Sequence, residues 1–350
     1  MPEMTSRERV LAALLGNPHD RVPYMELYID EHFARLLLNL PPTKKPTPMS
    51  GTSPVTCAYF GGHSYDPIDL AKALGLDGLL MGIQPQIYFK NRLVDGSYFV
   101  EGGRIHSRDD LNLINLPDPD QSWIYEPAKR FIDRLQPLGY AIGCFINLGS
   151  DPVVLSMGWD HFCYALYDDP GLIEIMFNIY SDWYGQAVKH ICKLGFDFIW
   201  AGDDFAFSSG PMISPDTFQK YFLPHYRQVA QEITLPWIFH TDGDFSLVLE
   251  DLLSLGMNAL HPIEPDAMDI LDVKRKVRGR VSLIGNIDIN VLSNGAPEEV
   301  EHLTKRTIRN VARDGRFILS SSNSITRSCQ VENVLAMVKV CRKFGQYPIT

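Results

Sequence analysis

One local pattern constrains the fold of this chain most: a helix-like stretch closed by Leu-Gly and followed by an apolar run. It occurs at Leu74-Gly75, Leu138-Gly139, Leu194-Gly195 and Leu255-Gly256. Glycine ends a helix because it adopts the left-handed conformation easily, and a short apolar run after it is typical of a buried strand. Helices that alternate with such strands predict a parallel sheet covered by helices.

Eight apolar runs fit this description and are predicted as strands. They are residues 23–28, 77–81, 141–146, 196–201, 236–240, 259–262, 281–285 and 317–321. Helical periodicity is clearest at residues 171–194, 215–233, 245–255, 297–312 and 331–344. Eight βα units in one chain predict a single (β/α)8 TIM barrel spanning residues 1–350. A doubly wound sheet is disfavoured because no GxGxxG turn follows the first strand.

Residues 1–70 are predicted to form an N-terminal extension that includes the first strand. A helix is expected at Ser6–Leu15, because Thr5 and Glu8 form a capping box and Gly16 can end the helix. The Pro-rich stretch 41–54 is predicted to be a mobile, exposed loop, with a lid over a site as the alternative.

Composition excludes several classes of protein. The chain has 32 Lys and Arg against 42 Asp and Glu, a net charge of −10, whereas a nucleic-acid binder needs a basic face. Its apolar runs are far shorter than the ~20 residues of a membrane span, and the first residues lack a signal-peptide core. We therefore expect a cytoplasmic protein without nucleic-acid or membrane partners. The 6 cysteines form no CxxC motif and are expected to be free thiols.

Polar residues follow the predicted strands, where a barrel enzyme places its chemistry. Burying so many carboxylates and imidazoles is costly without partners, a metal or water, so their joint presence indicates a site. The candidate catalytic residues are Asp203, Asp204, His240, Asp242, His261 and Glu264. The candidate substrate-binding residues are Glu26, Tyr28, Asn147, Asn286, Ser322 and Asn323.

Structural alternatives exist for these residues when each is taken singly. Asp203 or Asp204 could cap a helix, and Asp242 could stabilise its own turn. His240 could be a hydrogen-bonded core histidine, and His261 could simply end a strand before proline. Taken together, the two histidines and the carboxylates fit either a metal site or metal-free acid–base catalysis. HExxH, Walker A and GxSxG motifs are absent, which disfavours zincin protease, phosphotransfer and serine-hydrolase chemistry.

Four segments of the chain resemble the uroporphyrinogen decarboxylase superfamily, which includes the cobamide-dependent methyltransferases. They are SRERVLAALLGNPHDRVP at residues 6–23, EGGRIHSRDDLNLINLPDPD at 101–120, LIGNIDINVLSNGAPEEVEHLTKRTIRNVARDGRFILSSSNSI at 283–325 and VENVLAMVKVCRKFG at 331–345. The similarity spans essentially the whole chain and implies a (β/α)8 barrel.

The chain departs from uroporphyrinogen decarboxylase itself after the first strand. The family enzyme carries an arginine-rich RQAGR motif there, which holds the carboxylates of its tetrapyrrole. The corresponding stretch here is MELYIDEHF, without arginine between Arg21 and Arg35. A substrate with eight carboxylates loses its bidentate guanidinium contacts, so true decarboxylase activity is disfavoured.

The resemblance to the methyltransferase branch implies a zinc site, which this chain alters. That branch often has HxC at strand five and a cysteine after strand eight, and these residues bind zinc. Here the positions hold His240-Thr241-Asp242 and Ser320 to Asn323, and the nearest cysteine is Cys329. The thiolate ligands are missing, which leaves an oxygen-rich zinc site of His240, Asp242 and Glu264, or no metal.

The leading hypothesis from this resemblance is a methyltransferase. It would move a methyl group from a small O- or N-methylated substrate, as in O-demethylation, to a Co(I) corrinoid. The cobamide is expected on a separate partner protein, because this chain lacks the DxHxxG motif that binds a corrinoid. One alternative is a lyase or decarboxylase acting on a small non-porphyrin acid, with Asp203, Asp204 or Asp242 relaying protons. Another is a non-catalytic tetrapyrrole- or corrinoid-binding protein.

Overall fold

Seven parallel strands form most of the wall of a barrel in the computed structural model, which describes residues 3–43, 51–59, 64–94 and 97–349. The strands are β1 Val55–Tyr59, β2 Gly78–Pro85, β3 Phe89–Val94, β4 Ser97–Gly103, β5 Ala141–Ile146, β6 Phe198–Gly202, β7 Ala206–Phe207, β8 Gly210–Pro211, β9 Trp237–His240, β10 Ala259–His261, β11 Ser282–Ile287 and β12 Phe317–Ser321. The parallel strands run in the order β2-β5-β6-β9-β10-β11-β12. The predicted barrel fold is confirmed.

Helices follow most of these strands. They are α1 Ser6–Leu15, α2 Glu31–Leu37, α3 Pro67–Leu74, α4 Glu126–Leu135, α5 Ser150–Met157, α6 Trp159–Asp168, α7 Pro170–Ile191, α8 Pro215–Thr217, α9 Leu223–Ala230, α10 Leu249–Leu253, α11 Ile270–Val277, α12 Ile289–Asn294, α13 Pro297–Val311 and α14 Val331–Phe344. Short 3₁₀ turns occur at Arg108–Leu113, Ser122–Ile124, Gln136–Leu138, Ser246–Val248 and Ala312–Asp314. Within the described ranges, we find no helix with both the length and the apolar character needed to cross a bilayer.

The segment predicted as the first strand, residues 23–28, closes the barrel without forming a regular strand. It pairs with β12 through an isolated parallel bridge between Tyr24 and Leu319. Pro23 has no N–H to donate, and the N–H of Tyr24 donates to the Asp77 carboxylate at 2.9 Å instead of to a strand. The carbonyl of Tyr24 accepts from the N–H of Asp77 at 2.8 Å. The segment therefore lies between β12 and β2, at the position of the eighth strand.

Strand β1 was not predicted from the sequence. It runs antiparallel to the second half of β2, with Val55 opposite Pro85 and Tyr59 opposite Met81. The hairpin of β3 and β4 and the helices α5 and α6 were also missed. Residues 44–50 of the Pro-rich stretch 41–54 lie outside the described residues, so the loop and lid hypotheses remain predictions.

The helix predictions succeeded where capping signals were strong. Helix α1 has the expected capping box of Thr5 and Glu8, and Gly16 ends it with φ of 70°. The predicted helical stretch at residues 215–233 is helical over residues 215–230, with a π-helical turn at Phe218–Phe222 between α8 and α9. Pro224 lies two residues after Phe222, and proline has no backbone N–H to donate in the regular α-helical pattern there.

Apolar side chains fill the barrel, and helix α1 closes its N-terminal end. The filling residues include Leu80, Phe145, Trp200, Ile238, Ile284 and Ile318, packed with Val10, Ala13 and Leu14 of α1. A second apolar layer fills the space between the strands and the outer helices. Because the interior is packed rather than open, the polar residues at the carboxyl ends of the strands form a separate layer at the opposite end.

A buried ion-pair network lies near the N-terminal end of the barrel. The carboxylate of Asp77 is fully buried and accepts from Arg9 Nη1 at 2.7 Å and from Arg21 Nη2 at 2.8 Å. Arg9 also pairs with Asp20 at 2.6 Å. The network joins α1, the closing segment and the start of β2. It therefore stabilises the end of the barrel that carries no candidate site residues.

Candidate active site

Three of the predicted residues converge where β6 and β9 end. Strand pairing places Gly202 beside His240, which brings Asp204, His240 and Asp242 to one point. Nε2 of His240 lies 3.7 Å from Oδ1 of Asp204 and 3.6 Å from Oδ1 of Asp242. One ligand atom from each of the three residues lies within 4.8 Å of the others. The backbone N–H of Asp242 donates to Asp204 Oδ1 at 3.0 Å, which fixes the two acids relative to each other.

The carboxylate of Asp242 has one oxygen without a hydrogen-bond partner. Oδ1 is buried and unpartnered, whereas Oδ2 accepts from Nδ2 of Asn323 at 2.8 Å. A buried, unsatisfied carboxylate oxygen is costly, and a divalent cation facing it and His240 Nε2 would remove that cost. One imidazole nitrogen and two carboxylates are ligands that zinc accepts. The residues present therefore fit a metal ion.

Asp204 occupies the place that the sequence prediction assigned to Glu264 in the metal site. Glu264 accepts from the N–H of Gly243 at 2.7 Å and from Nδ2 of Asn323 at 3.4 Å. Its carboxylate therefore supports the turn that carries Asp242, and it is not among the three clustered ligand residues.

Asp203 lies behind this cluster and braces a neighbouring loop. It is fully buried, and its carboxylate accepts from the backbone N–H of Asp151 at 2.7 Å and from that of Leu148. Asp151 lies in the first turn of helix α5 and Leu148 lies just before that helix, so Asp203 holds the start of α5 in place. Burial raises the pKa of Asp203 to about 7.

Asp151 belongs to the site but was not predicted. Its Oδ1 accepts from the backbone N–H of Asp204 at 2.9 Å. Burial and then the charges of Asp204 and Asp203 hold the pKa of Asp151 well above its ordinary range. The sequence signal was a polar run after β5, but an acid in the first turn of a helix is also ordinary for helix stability.

His261 lies behind His240 in the barrel rather than beside the open cluster. The Nδ1 atoms of His240 and His261 are 2.7 Å apart. His261 is fully buried, and burial, followed by the charge of His240, lowers its pKa well below the ordinary value. Its Nε2 faces Oγ of Ser320 at 3.5 Å.

Glu26 was predicted to bind substrate, but its carboxylate is occupied by the protein. It is buried and accepts from Oγ of Ser320 at 3.0 Å, from N of Ser321 at 3.0 Å and from Oγ of Ser321 at 2.7 Å. Burial raises its pKa to about 7 despite these hydrogen bonds.

Asn147 and Ser322, two further predicted substrate ligands, also bond within the protein. Oδ1 of Asn147 accepts from Nε2 of Gln84 at 2.7 Å and from the hydroxyl of Tyr184 at 3.1 Å. Oγ of Ser322 accepts from the N–H of Ile289 at 3.1 Å. Both residues brace strand ends, because their polar atoms are used to hold neighbouring elements.

Asn286 and Tyr28 complete the predicted substrate-binding residues. Nδ2 of Asn286 donates to the carbonyl of Ile263 at 3.1 Å, and Asn286 lines a groove of about 870 Å³ beside α11 and α13. Tyr28 is half-buried at the end of the closing segment. The groove lies outside the cluster of Asp204, His240 and Asp242, so the predicted ligands do not all surround one cavity.

The raised pKa of Glu26 predicts a specific pH dependence of stability. Between its ordinary value of 4.5 and about 7, the folded protein keeps a proton that the unfolded chain releases. The free energy of unfolding therefore falls as pH rises through this window, by up to about 3 kcal/mol at ~1.4 kcal/mol per pKa unit. Glu26→Gln lacks this contribution. We therefore expect the free energy of unfolding of the wild type, measured in urea, to fall relative to that of Glu26→Gln between pH 5 and pH 8. A difference between the two free energies that stays constant with pH would contradict the assignment.

Comparisons with known proteins agree with this architecture. The methylated-thiol–coenzyme M methyltransferase of Methanosarcina mazei is 27% identical over 176 residues, which cover 50% of this chain and 46% of that protein. The methylcobamide:CoM methyltransferase of the same organism is 23% identical over 221 residues, 62% of this chain and 61% of the relative. These matches thus span about half to three fifths of the curated relatives.

A solved methyltransferase structure from Methanosarcina mazei covers 98% of this chain and 99% of its own, with a TM-score of 0.71 and 19% identity. At that identity the likeness establishes the fold alone. The model of the uroporphyrinogen decarboxylase (URO-D) family matches residues 96–344, which is more than half of the chain. On this match, and with the barrel that the structure shows, the protein belongs to the uroporphyrinogen decarboxylase family.

Proposed function

We propose that this protein is a methyltransferase that moves a methyl group from a small O- or N-methylated substrate to the Co(I) corrinoid of a separate partner protein. The observation that carries the proposal is the cluster of Asp204, His240 and Asp242, with the unpartnered Asp242 Oδ1, at the strand ends of a barrel in this family. Two similar proteins are coenzyme M methyltransferases by name, which supports methyl transfer as the reaction type.

The charge at the site supports a neutral or cationic methyl donor. Five carboxylates lie together at this end of the barrel, those of Asp151, Asp203, Asp204, Asp242 and Glu264. In the described part of the chain, we find no lysine or arginine in a hydrogen bond or ion pair with any of them. A substrate rich in carboxylates would be repelled here. A methylated amine or a neutral methyl ether would not.

Asp204, His240 and Asp242 are the residues that would hold a zinc ion. When bound, the ion would act as a Lewis acid for negative charge that develops on the leaving oxygen or nitrogen. Asn323 contributes by holding Asp242, because its Nδ2 donates to Oδ2 and leaves Oδ1 directed at His240. Asp204 is oriented by the hydrogen bond from the N–H of Asp242.

Asp151 is the residue that we assign as the proton donor. Methyl transfer breaks the bond between the methyl carbon and its oxygen or nitrogen, leaves the electron pair on that atom and forms a bond to cobalt. The departing atom then needs a proton. Asp151 lies next to Asp204, and burial beside two other carboxylates raises its pKa and so favours its protonated form.

The test is formation of a methylated corrinoid. Purified protein is mixed with a reduced corrinoid protein and a panel of methyl ethers and methylamines, and the corrinoid absorbance spectrum is followed. Methylation that requires both this protein and a donor supports the proposal. Release of CO₂ from a small acid without corrinoid would favour the lyase alternative, and tight tetrapyrrole binding without any turnover would favour a carrier.

A further inference from the structure

A continuous line of hydrogen-bonding side chains runs from inside the barrel to the candidate metal site. It starts at Glu26, passes through Ser320 and His261, and ends at His240. The contacts measure 3.0 Å for Ser320 Oγ to Glu26 Oε2, 3.5 Å for Ser320 Oγ to His261 Nε2 and 2.7 Å between the two Nδ1 atoms. His261 and Ser320 are fully buried.

The line has a direction because each group has a limited number of hydrogens. Above its pKa of about 7, Glu26 is an ionised carboxylate that can only accept, and it receives hydrogens from N and Oγ of Ser321 and from Oγ of Ser320. The hydroxyl of Ser320 donates its one hydrogen to Glu26, so the oxygen of Ser320 faces His261 as an acceptor. His261 then carries its hydrogen on Nε2, and its Nδ1 presents a lone pair.

Only one hydrogen fits between two Nδ1 atoms 2.7 Å apart, and it must come from His240 when Nδ1 of His261 is the acceptor. The Nε2 atom of His240 is then unprotonated. That atom is the one 3.6–3.7 Å from Asp242 and Asp204. A histidine must offer a lone pair to bind a metal, and the hydrogen bond at its other nitrogen decides which atom does so.

We propose that Glu26, Ser320 and His261 are positioning residues that hold the hydrogen of His240 on Nδ1 and direct its Nε2 lone pair toward Asp204 and Asp242. The value of this arrangement for catalysis rests on the metal site of the proposed function. The hydrogen position itself is a property of the protein without metal and can be measured alone.

The experiment is two-bond ¹H–¹⁵N NMR of the full-length, metal-free protein labelled with ¹⁵N-histidine, recorded at a pH well above the pKa of about 7 of Glu26, with His240 assigned by comparison with His240→Ala. We expect the wild-type His240 to be the Nδ1–H tautomer. In Glu26→Gln, the amide can donate to Ser320, which then donates to His261, and the direction of the line reverses. His240 should accordingly shift toward the Nε2–H tautomer. The matched control is Ser322→Ala, since Ser322 bonds to Ile289 and lies outside the line.

Zinc affinity, measured by competition with a chelator, provides a second readout. We expect Glu26→Gln and Ser320→Ala to weaken zinc binding roughly 10- to 100-fold, as is usual when a residue that orients a metal ligand is lost. Ser320→Ala also guards against misfolding of the Glu26 variant, and it should give a mixture of both His240 tautomers. The Nε2–H tautomer in the wild type, or an unchanged tautomer in both variants, would overturn the proposal. The predicted tautomers without any zinc binding would support the positioning roles and contradict the metal site instead.

Discussion

His240→Ala is expected to abolish stoichiometric zinc binding and to slow methyl transfer roughly 10²- to 10³-fold, the usual loss when one group that stabilises developing charge is removed. His240 supplies the nitrogen in the cluster, and the remaining ligands are two carboxylates, which suit zinc less well without it. Metal content is measured on freshly purified protein by elemental analysis. Turnover is followed through the spectrum of the corrinoid.

The matched control for this variant is His302→Ala, which removes an exposed histidine on α13. It should retain the metal and the wild-type rate. Metal retained by His240→Ala would place the ion elsewhere. Absence of metal from the wild-type protein, together with full activity, would contradict the metal site and favour acid–base catalysis by the carboxylates.

Asp77→Asn is expected to lower the free energy of unfolding by about 3–5 kcal/mol, the usual loss when a buried ion pair loses one partner. Asp77 has no exposed surface, and Arg9, which pairs with it, is 3% exposed. The substitution leaves Arg9 and Arg21 with reduced compensation for their charge. It also weakens the hydrogen bond that the N–H of Tyr24 donates to residue 77. That hydrogen bond holds the closing segment against β2. The measurement is the urea unfolding curve, followed by circular dichroism and tryptophan fluorescence.

Asp314→Asn is the control for an ion pair at the surface. Its partner is Lys274 at 2.7 Å, and the Asp314 side chain is 49% exposed, so we expect a change of about 0–1 kcal/mol. A loss at Asp77 no larger than the loss at Asp314 would show that the network does not hold the barrel closed. Methyl-transfer activity of folded Asp77→Asn should stay near that of the wild type, because the network lies at the opposite end from the site.

The fold could be predicted because its signals are local. The Leu-Gly helix ends, the apolar runs and the capping box of Thr5 and Glu8 each involve residues close together in sequence. The exceptions follow the same logic. Residues 23–28 looked like a strand, but their hydrogen bonds depend on Asp77 and Leu319, which are distant in the chain. The π-helical turn at Phe218–Phe222 lies within a helical stretch whose sequence periodicity looked regular.

The site could be predicted only in outline. Position at strand ends indicated Asp204, His240 and Asp242, and the structure brings these three together. Position at strand ends also indicated Glu26 and Asn147, because position alone cannot distinguish a side chain that faces the site from one that braces the strands. Asp151 was missed for the converse reason, since its position in a helix looked ordinary.

The sequence alone therefore determined the barrel, the acidic character of its carboxyl-terminal end and the absence of thiolates from the expected ligand positions. These properties follow from residue type and local order. Only the tertiary structure decided which polar atoms are already bonded and which remain open. Ser320 and Glu26 are 294 residues apart in the chain, yet their hydrogen bond sets which nitrogen of His240 can face the site. Such partners meet only when the barrel closes, so no local pattern can specify them.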